Sequence, residues 1–143
     1  MAIVKVGEQV KYGLFVKGED MLGIQATLNF SNNFLNCTGW ITNSDTGNPF
    51  THVNPVIDNS NGAFNLAATI PTGEVAETEG LMLGTVTFEA VASSNTEPVK
   101  IAVNMVTWRD GENVSHEFSE VRENTETVIE STISFDIWLE VVS

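Results

Sequence analysis

The chain has 143 residues, a formal net charge of −13 and a pI near 4.2, with 42% hydrophobic and 17% charged residues. This length suits one globular domain covering residues 1–143. Because so acidic a field repels phosphate backbones and anionic headgroups, the composition argues against nucleic acid and membrane surfaces as partners.

The cysteine content and the hydropathy exclude further classes of protein. Cys37 is the only cysteine, which excludes an intrachain disulfide, and we expect it to be a small buried core residue. The sequence has no apolar run near the roughly 18 residues of a membrane span, so no membrane insertion is predicted. The first residues lack the features of a secretion signal.

In the first third of the chain, apolar and polar residues alternate as they do in β-strands. Residues 3–6 and 10–16 are predicted strands, a polar break follows at residues 18–20, and residues 21–30 form the next strand. In this third strand one side is apolar and is predicted to face the core, with Ile24, Ala26, Leu28 and Phe30. The other side is small, polar and uncharged, with Gly23, Gln25, Thr27 and Asn29.

The middle of the chain predicts a short strand and then a hairpin. Residues 37–42 form the strand, which contains Trp40. Residues 51–57 and 63–70 pair across a turn at residues 58–62 that ends on the dipeptide Asn61-Gly62. Pro55 indicates that the first of these two strands lies at a sheet edge or carries a bulge.

The remaining strands follow an acidic connector at residues 72–80. Residues 81–92, 98–108 and 132–142 are predicted strands, whereas residues 111–127 are compatible with a long loop, an extra hairpin or one helical turn. Strands with one apolar face each, and no helices to cover them, must bury those faces against one another. The predicted fold is all-β, a two-sheet jelly-roll sandwich of about nine strands.

Two stretches of this pattern resemble cohesin domains: GEQVKYGLFVKGEDMLGIQATLNFSNNFL near the start and EGLMLGTVTFEAVASSNTEPVKIAV later. The resemblance implies a nine-stranded jelly roll and a non-catalytic scaffoldin module. Such a module binds a calcium-loaded dockerin in a cellulosome-like assembly that degrades polysaccharides. It also implies a bacterial extracellular or cell-surface location, the export signal being absent from this sequence.

In cohesins the dockerin lies on a sheet face formed by the third, fifth, sixth and eighth strands. Gly23 and Gln25 stand where the best-known cohesins carry an Asn and an Asp, which leaves a different dockerin class open. Small side chains also leave a face flat, so a partner can bind with little loss of side-chain entropy. The implied partner-binding residues are Gly23, Gln25, Thr27, His52, Asn54, Asn65, Ala67, Thr69, Ala102, Asn104 and Val106.

The sequence offers no catalytic constellation. His52 and His116 are far apart in sequence and neither belongs to a recognisable His-carboxylate motif, so we predict no enzyme, no catalytic residue and no cofactor. Glutamates cluster in residues 74–79 and 117–126, but they lack the spacing of a calcium loop. We therefore interpret them as solvated connectors and predict no metal site.

Two of the tryptophans suggest an alternative function for the chain. Trp108 and Trp138 could face solvent and stack on sugar rings, which would make the chain a carbohydrate-binding module with polysaccharide as its ligand. A structural surface or adhesin sandwich is the second alternative. Trp40 is predicted to pack at the margin of the sandwich.

Overall fold

The computed structural model describes residues 2–72, 74–94, 99–118 and 122–130. Within these ranges the regular structure is all strand, and no helix there is long and apolar enough to cross a membrane. The strands are β1 (Ala2–Lys5), β2 (Gln9–Phe30), β3 (Leu35–Thr42), β4 (His52–Asp58), β5 (Ala63–Thr69), β6 (Ala76–Ala90), β7 (Val99–Asp110), β8 (Ser115–Phe118) and β9 (Arg122–Glu130).

Strand β2 is shared by the two layers of the sandwich. Its first half, residues 9–18, pairs with β6, and its second half, residues 23–30, pairs with β5 on one side and β7 on the other. The two halves meet at Asp20, whose φ of 56° is in the left-handed region. The predicted break at residues 18–20 is therefore wrong as an end of a strand, because the chain bends there and continues in strand geometry.

The pairing order gives the two layers. One contains β4, β5, the second half of β2, and β7; β8 and β9 pair with β7, and β1 runs parallel to β9. The other contains the first half of β2, β6 and β3. This arrangement confirms the predicted all-β sandwich.

Aromatic contacts join the two layers through the core. Phe30 of β2 meets Phe88 of β6 edge to face, with ring centroids 5.0 Å apart. Half-buried Trp40 of β3 packs against Phe64 of β5, with ring centroids 5.6 Å apart, in keeping with its predicted place at the margin of the sandwich. Burying such rings supplies much of the stabilisation of a sandwich. The predicted inward residues Ile24, Ala26, Leu28 and Phe30 are all buried, and so is Cys37.

Two glycines are required by close backbone approach. Gly62 closes the predicted turn between β4 and β5 with φ of 63°, and a Cβ there would lie 2.3 Å from the Phe30 carbonyl oxygen. Gly84 of β6 faces β3, where a Cβ would lie 2.4 Å from both the Ile41 carbonyl oxygen and the Trp40 ring. A side chain at position 84 would therefore displace Trp40 from the core.

Several predicted boundaries change. Strand β6 begins at Ala76, inside the stretch predicted to be an acidic connector. Part of the segment left open at residues 111–127 is the extra hairpin, because β8 returns along β7, and β9 begins at Arg122. Within the described ranges β4 pairs with β5 alone, in keeping with the edge position that Pro55 indicated. The predicted strand at residues 132–142 lies outside the described residues.

Candidate protein-binding face

The outward face of β4, β5, the second half of β2, and β7 forms one surface, which we call the platform. Residues that pair directly across neighbouring strands point to the same side of a sheet, so the register fixes its composition. The successive rows are His52, Thr69, Gly23 and Arg109; Asn54, Ala67, Gln25 and Thr107; Val56, Asn65, Thr27 and Asn104; and Asp58, Ala63, Asn29 and Ala102. Every predicted partner-binding residue except Val106 lies in these rows.

The centre of the platform is made of short uncharged side chains. Gln25, Asn54 and Asn65 are exposed, whereas Thr27 and Ala67 are half-buried between their neighbours. The Thr27 hydroxyl donates a 2.7 Å hydrogen bond to Asn65 Oδ1, which joins β2 to β5 on the outside of the sheet. The amide nitrogen of Asn65 then remains able to donate to a partner.

Val106 was predicted on the platform and lies on the opposite side. Its cross-strand partner is Ala26, a core residue, and its side chain packs against the core. A bulge at Met105, with φ of 46°, shifts the register, and Asn104 Oδ1 supports it by accepting a hydrogen bond from the Met105 amide. Thr107 takes the platform position that Val106 was expected to occupy.

The sequence contained a signal for this bulge. The inward residues of β7 are Val99, Ile101 and Val103, and then Val106 and Trp108, so the apolar period slips by one residue. A prediction of strict alternation through the whole strand does not allow for this slip. It therefore places neither Thr107 nor Arg109 on the platform, nor Met105 beside it.

Two apolar side chains rise above the polar centre. Met105 is 73% exposed and Val56 is 58% exposed, and both line a shallow hollow of about 330 Å³ together with Gln25, Asn54 and Thr107. Val56 continues the alternation of His52 and Asn54, so its place was readable from the sequence. The platform is thus polar and small at its centre, with two exposed apolar side chains beside it.

Trp108 does not face solvent as the carbohydrate-binding alternative required. Its side chain packs partly against the core and stacks on His116, with ring centroids 4.4 Å apart and planes 20° apart. An indole covered in this way does not present a free face to a sugar ring. Trp138, the other tryptophan of that alternative, lies outside the described residues.

The turn between β7 and β8 gives His116 a carboxylate partner that sequence spacing did not reveal. His116 Nε2 lies 2.7 Å from Asp110 Oδ2. Asp110 Oδ1 accepts hydrogen bonds from the amides of Glu112 and Val114, which fold the turn. The hydrogen bond with His116, followed by that from Val114, lowers the pKa of the Asp110 carboxyl. Each group has a structural role in holding the hairpin.

The described residues include no group of three or more His, Cys, Asp or Glu side chains that could hold a metal ion. Glu77 and Glu79 belong to strand β6 rather than to a loop. Glu79 Oε2 lies 3.9 Å from Lys17 Nζ in an exposed ion pair. Exposed pairs of this kind contribute little to stability.

Comparison with known proteins gives a result at the level of structure. No protein-family model matches the sequence, and no curated protein matches it. A chain of the OlpC type I cohesin–dockerin complex from Clostridium thermocellum superposes with a TM-score of 0.71 at 12% identity, over 91% of this chain and 89% of that chain. The chain has the cohesin fold.

Other cohesin structures agree. The cohesin module of a Clostridium perfringens family 33 glycoside hydrolase matches with a TM-score of 0.70 at 13% identity, over 92% of both chains. A type II cohesin from Bacteroides cellulosolvens matches with a TM-score of 0.69 at 14% identity, over 88% of this chain and 93% of that chain. Cohesins of type I and type II therefore share the fold of this chain. At so low a sequence identity, the likeness shows the fold and nothing beyond it.

Proposed function

We propose that this domain is a non-catalytic binding module whose platform receives a calcium-loaded dockerin module. The observation that carries the proposal is the centre of the platform, where four strands present small uncharged side chains in register. A sheet face left to solvent usually carries Lys and Glu. The two central rows carry neither within these four strands, and Glu117 of β8 stands at the edge opposite Thr107. Several of the solved structures with the same fold are cohesin–dockerin complexes.

Binding would bury Ala67 and Ala102 beneath the partner. Gln25, Asn54 and Asn65 are exposed around them and would supply hydrogen bonds at their margin. An interface of this class buries about 800 Å² on each side, and a few central residues carry most of its energy. Ala67 is central because its neighbours on the two adjacent strands, Gln25 and Asn54, are both platform residues.

The site of action would be a scaffoldin at the bacterial surface or outside the cell. The high negative charge suits a soluble module that avoids phosphate-rich partners. Calcium in this proposal belongs to the dockerin.

The test is a binding measurement with a panel of type I and type II dockerins in calcium. Ala67→Lys should weaken binding about 100-fold or more, because it raises a charged side chain into the buried centre. Thr85→Lys is the matched control, since Thr85 is a half-buried outward residue of β6 in the other layer. Removing calcium with a chelator should abolish binding, and restoring calcium should recover it.

Equal binding by Ala67→Lys and the unsubstituted domain would overturn the platform assignment. Failure of every dockerin in the panel to bind the unsubstituted domain, with retention of the domain on insoluble polysaccharide, would overturn the proposed function itself.

A further inference from the structure

One end of the platform is built differently from its centre. There a hollow of about 340 Å³ opens to solvent between β2, β5 and the β7–β8 hairpin. Gly23 opens the hollow because it has no side chain, and Arg109 stands opposite Gly23 in the sheet register. Thr69, Thr107 and Ser115 add polar groups to the wall.

Arg109 is held in place by the hairpin turn. Its Nη1 donates a 3.0 Å hydrogen bond to Asn113 Oδ1. Asn113 is itself fixed, since its backbone has φ of 65° and its amide donates to the Asp110 carbonyl at 2.9 Å. The guanidinium is therefore oriented before any partner arrives, which lowers the entropy lost on binding.

The described acids around Arg109 form no ion pair with it, and Glu117 of β8 stands on the same face opposite Thr107. The adjacent Asp110 is engaged by His116 and by the turn amides, and successive residues of a strand point to opposite faces. Among the described residues the hydrogen-bond partner of the guanidinium is a neutral amide, and none of their carboxylates lies within ion-pair distance of it. Arg109 is also the one Lys or Arg in the platform rows, in a chain with a net charge of −13.

We propose that this hollow receives a carboxylate side chain of the protein partner, bound by Arg109 and admitted by Gly23. A guanidinium presents parallel N–H donors that match the two oxygens of a carboxylate, and such charge-assisted hydrogen bonds are the stronger ones. The inference rests on the proposed function and adds to it. The partner carries an Asp or Glu where it meets the Arg109 end, which also fixes the direction in which it lies across the platform.

Gly23 provides an independent test because the backbone there leaves room for a Cβ. A Cβ at position 23 would lie 3.4 Å from the Ala68 carbonyl oxygen and 3.6 Å from Thr69 Cγ2. Gly23→Ala should therefore fold normally, and Gly23→Val should fill the hollow, with thermal unfolding to check that its fold is kept. Arg109→Gln removes the charge and keeps most of the length, and Lys11→Gln removes an exposed charge from the other layer as the matched control.

The experiment is selection from a displayed library built on the dockerin of the OlpC cohesin–dockerin complex, loaded with calcium and randomised over its surface. Clones that bind the unsubstituted domain and fail to bind Ala67→Lys are retained as platform binders. These clones should share an Asp or Glu at one helix position and lose about 10-fold or more in affinity for Arg109→Gln and for Gly23→Val. Lys11→Gln should leave their affinity unchanged.

A charge exchange completes the test. Replacing the selected acid by Lys should weaken binding to the unsubstituted domain and restore it to Arg109→Glu. Platform binders without a shared acid, or with equal affinity for Arg109→Gln, would overturn the carboxylate site and leave the proposed function standing. A library with no clone sensitive to Ala67→Lys would count against the proposed function.

Discussion

The two halves of strand β2 belong to the same strand and face outward with opposite chemistry. The first half exposes Lys11, Phe15 and Lys17, and Phe15 is 64% exposed. The second half presents Gly23, Gln25, Thr27 and Asn29. Burial explains the inward side of both halves, but it leaves the outward side free to vary. The first half carries two long charged side chains, as a solvated sheet does, and the second half carries none, which is what the proposed partner-binding role requires.

The inward side chains of the two halves also differ in burial, and this difference gives the largest expected change in stability. Leu28 is buried, whereas Leu14 is half-buried against the core. Leu28→Ala should lower the free energy of unfolding by about 3 kcal/mol, because it leaves a cavity between the layers. Leu14→Ala should cost about 1 kcal/mol, because less apolar area is lost. Urea denaturation measures both, and equal costs would contradict the burial described for the two halves.

Contact between the layers depends on Gly84, where Trp40 lies over the backbone. Gly84→Ala should cost about 2 kcal/mol, because its Cβ would meet the Ile41 carbonyl oxygen and the Trp40 ring. Gly39→Ala is the matched control in β3, since a Cβ there meets nothing within 4 Å. Thermal unfolding should separate the two variants by several degrees, and a stable Gly84→Ala would show that Trp40 packs elsewhere.

An outward side chain of one half of β2 can be replaced by the kind that the other half carries without changing the fold. Gln25→Lys introduces on the platform the kind of side chain that the first half of β2 carries. It should leave the free energy of unfolding within about 0.5 kcal/mol, because Gln25 is exposed. Dockerin affinity should nevertheless fall about 10-fold. Lys11→Gln is the reverse exchange, and calorimetric titration should find its affinity unchanged.

The smallest effect concerns the hairpin that borders the platform. Hydrogen bonds lower the pKa of Asp110 in the folded protein, so its contribution to stability is present above the unfolded pKa of about 3.9 and is lost as the pH falls through the lower folded value. Acid below about pH 4 should therefore loosen the hairpin. Tryptophan fluorescence of a variant with Trp108 as its only tryptophan would follow the change, and Asp110→Asn should flatten its pH dependence.

Much of this organisation is readable from the sequence, for a physical reason. Alternation reports burial, so the inward face of residues 24–30 follows directly, and the Asn61-Gly62 pair predicts the hairpin turn. The choice of the four strands that form the platform comes from the resemblance to cohesins. The bend at Asp20 and the bulge at Met105 depend instead on backbone conformations that few side chains favour, and alternation alone does not predict them. The pairing of His116 with Asp110 arises from the turn of the β7–β8 hairpin, and the place of Arg109 opposite Gly23 depends on two register shifts between β2 and β7.

The footprint of a bound dockerin on the isotope-labelled domain, measured by amide NMR, tests the platform assignment most directly. The signals of Gln25, Thr27, Asn65 and Thr107 should shift on binding, and those of Lys11, Phe15 and Thr85 should stay in place. A footprint on the first half of β2, with Gln25 and Asn65 unmoved, would overturn the assignment.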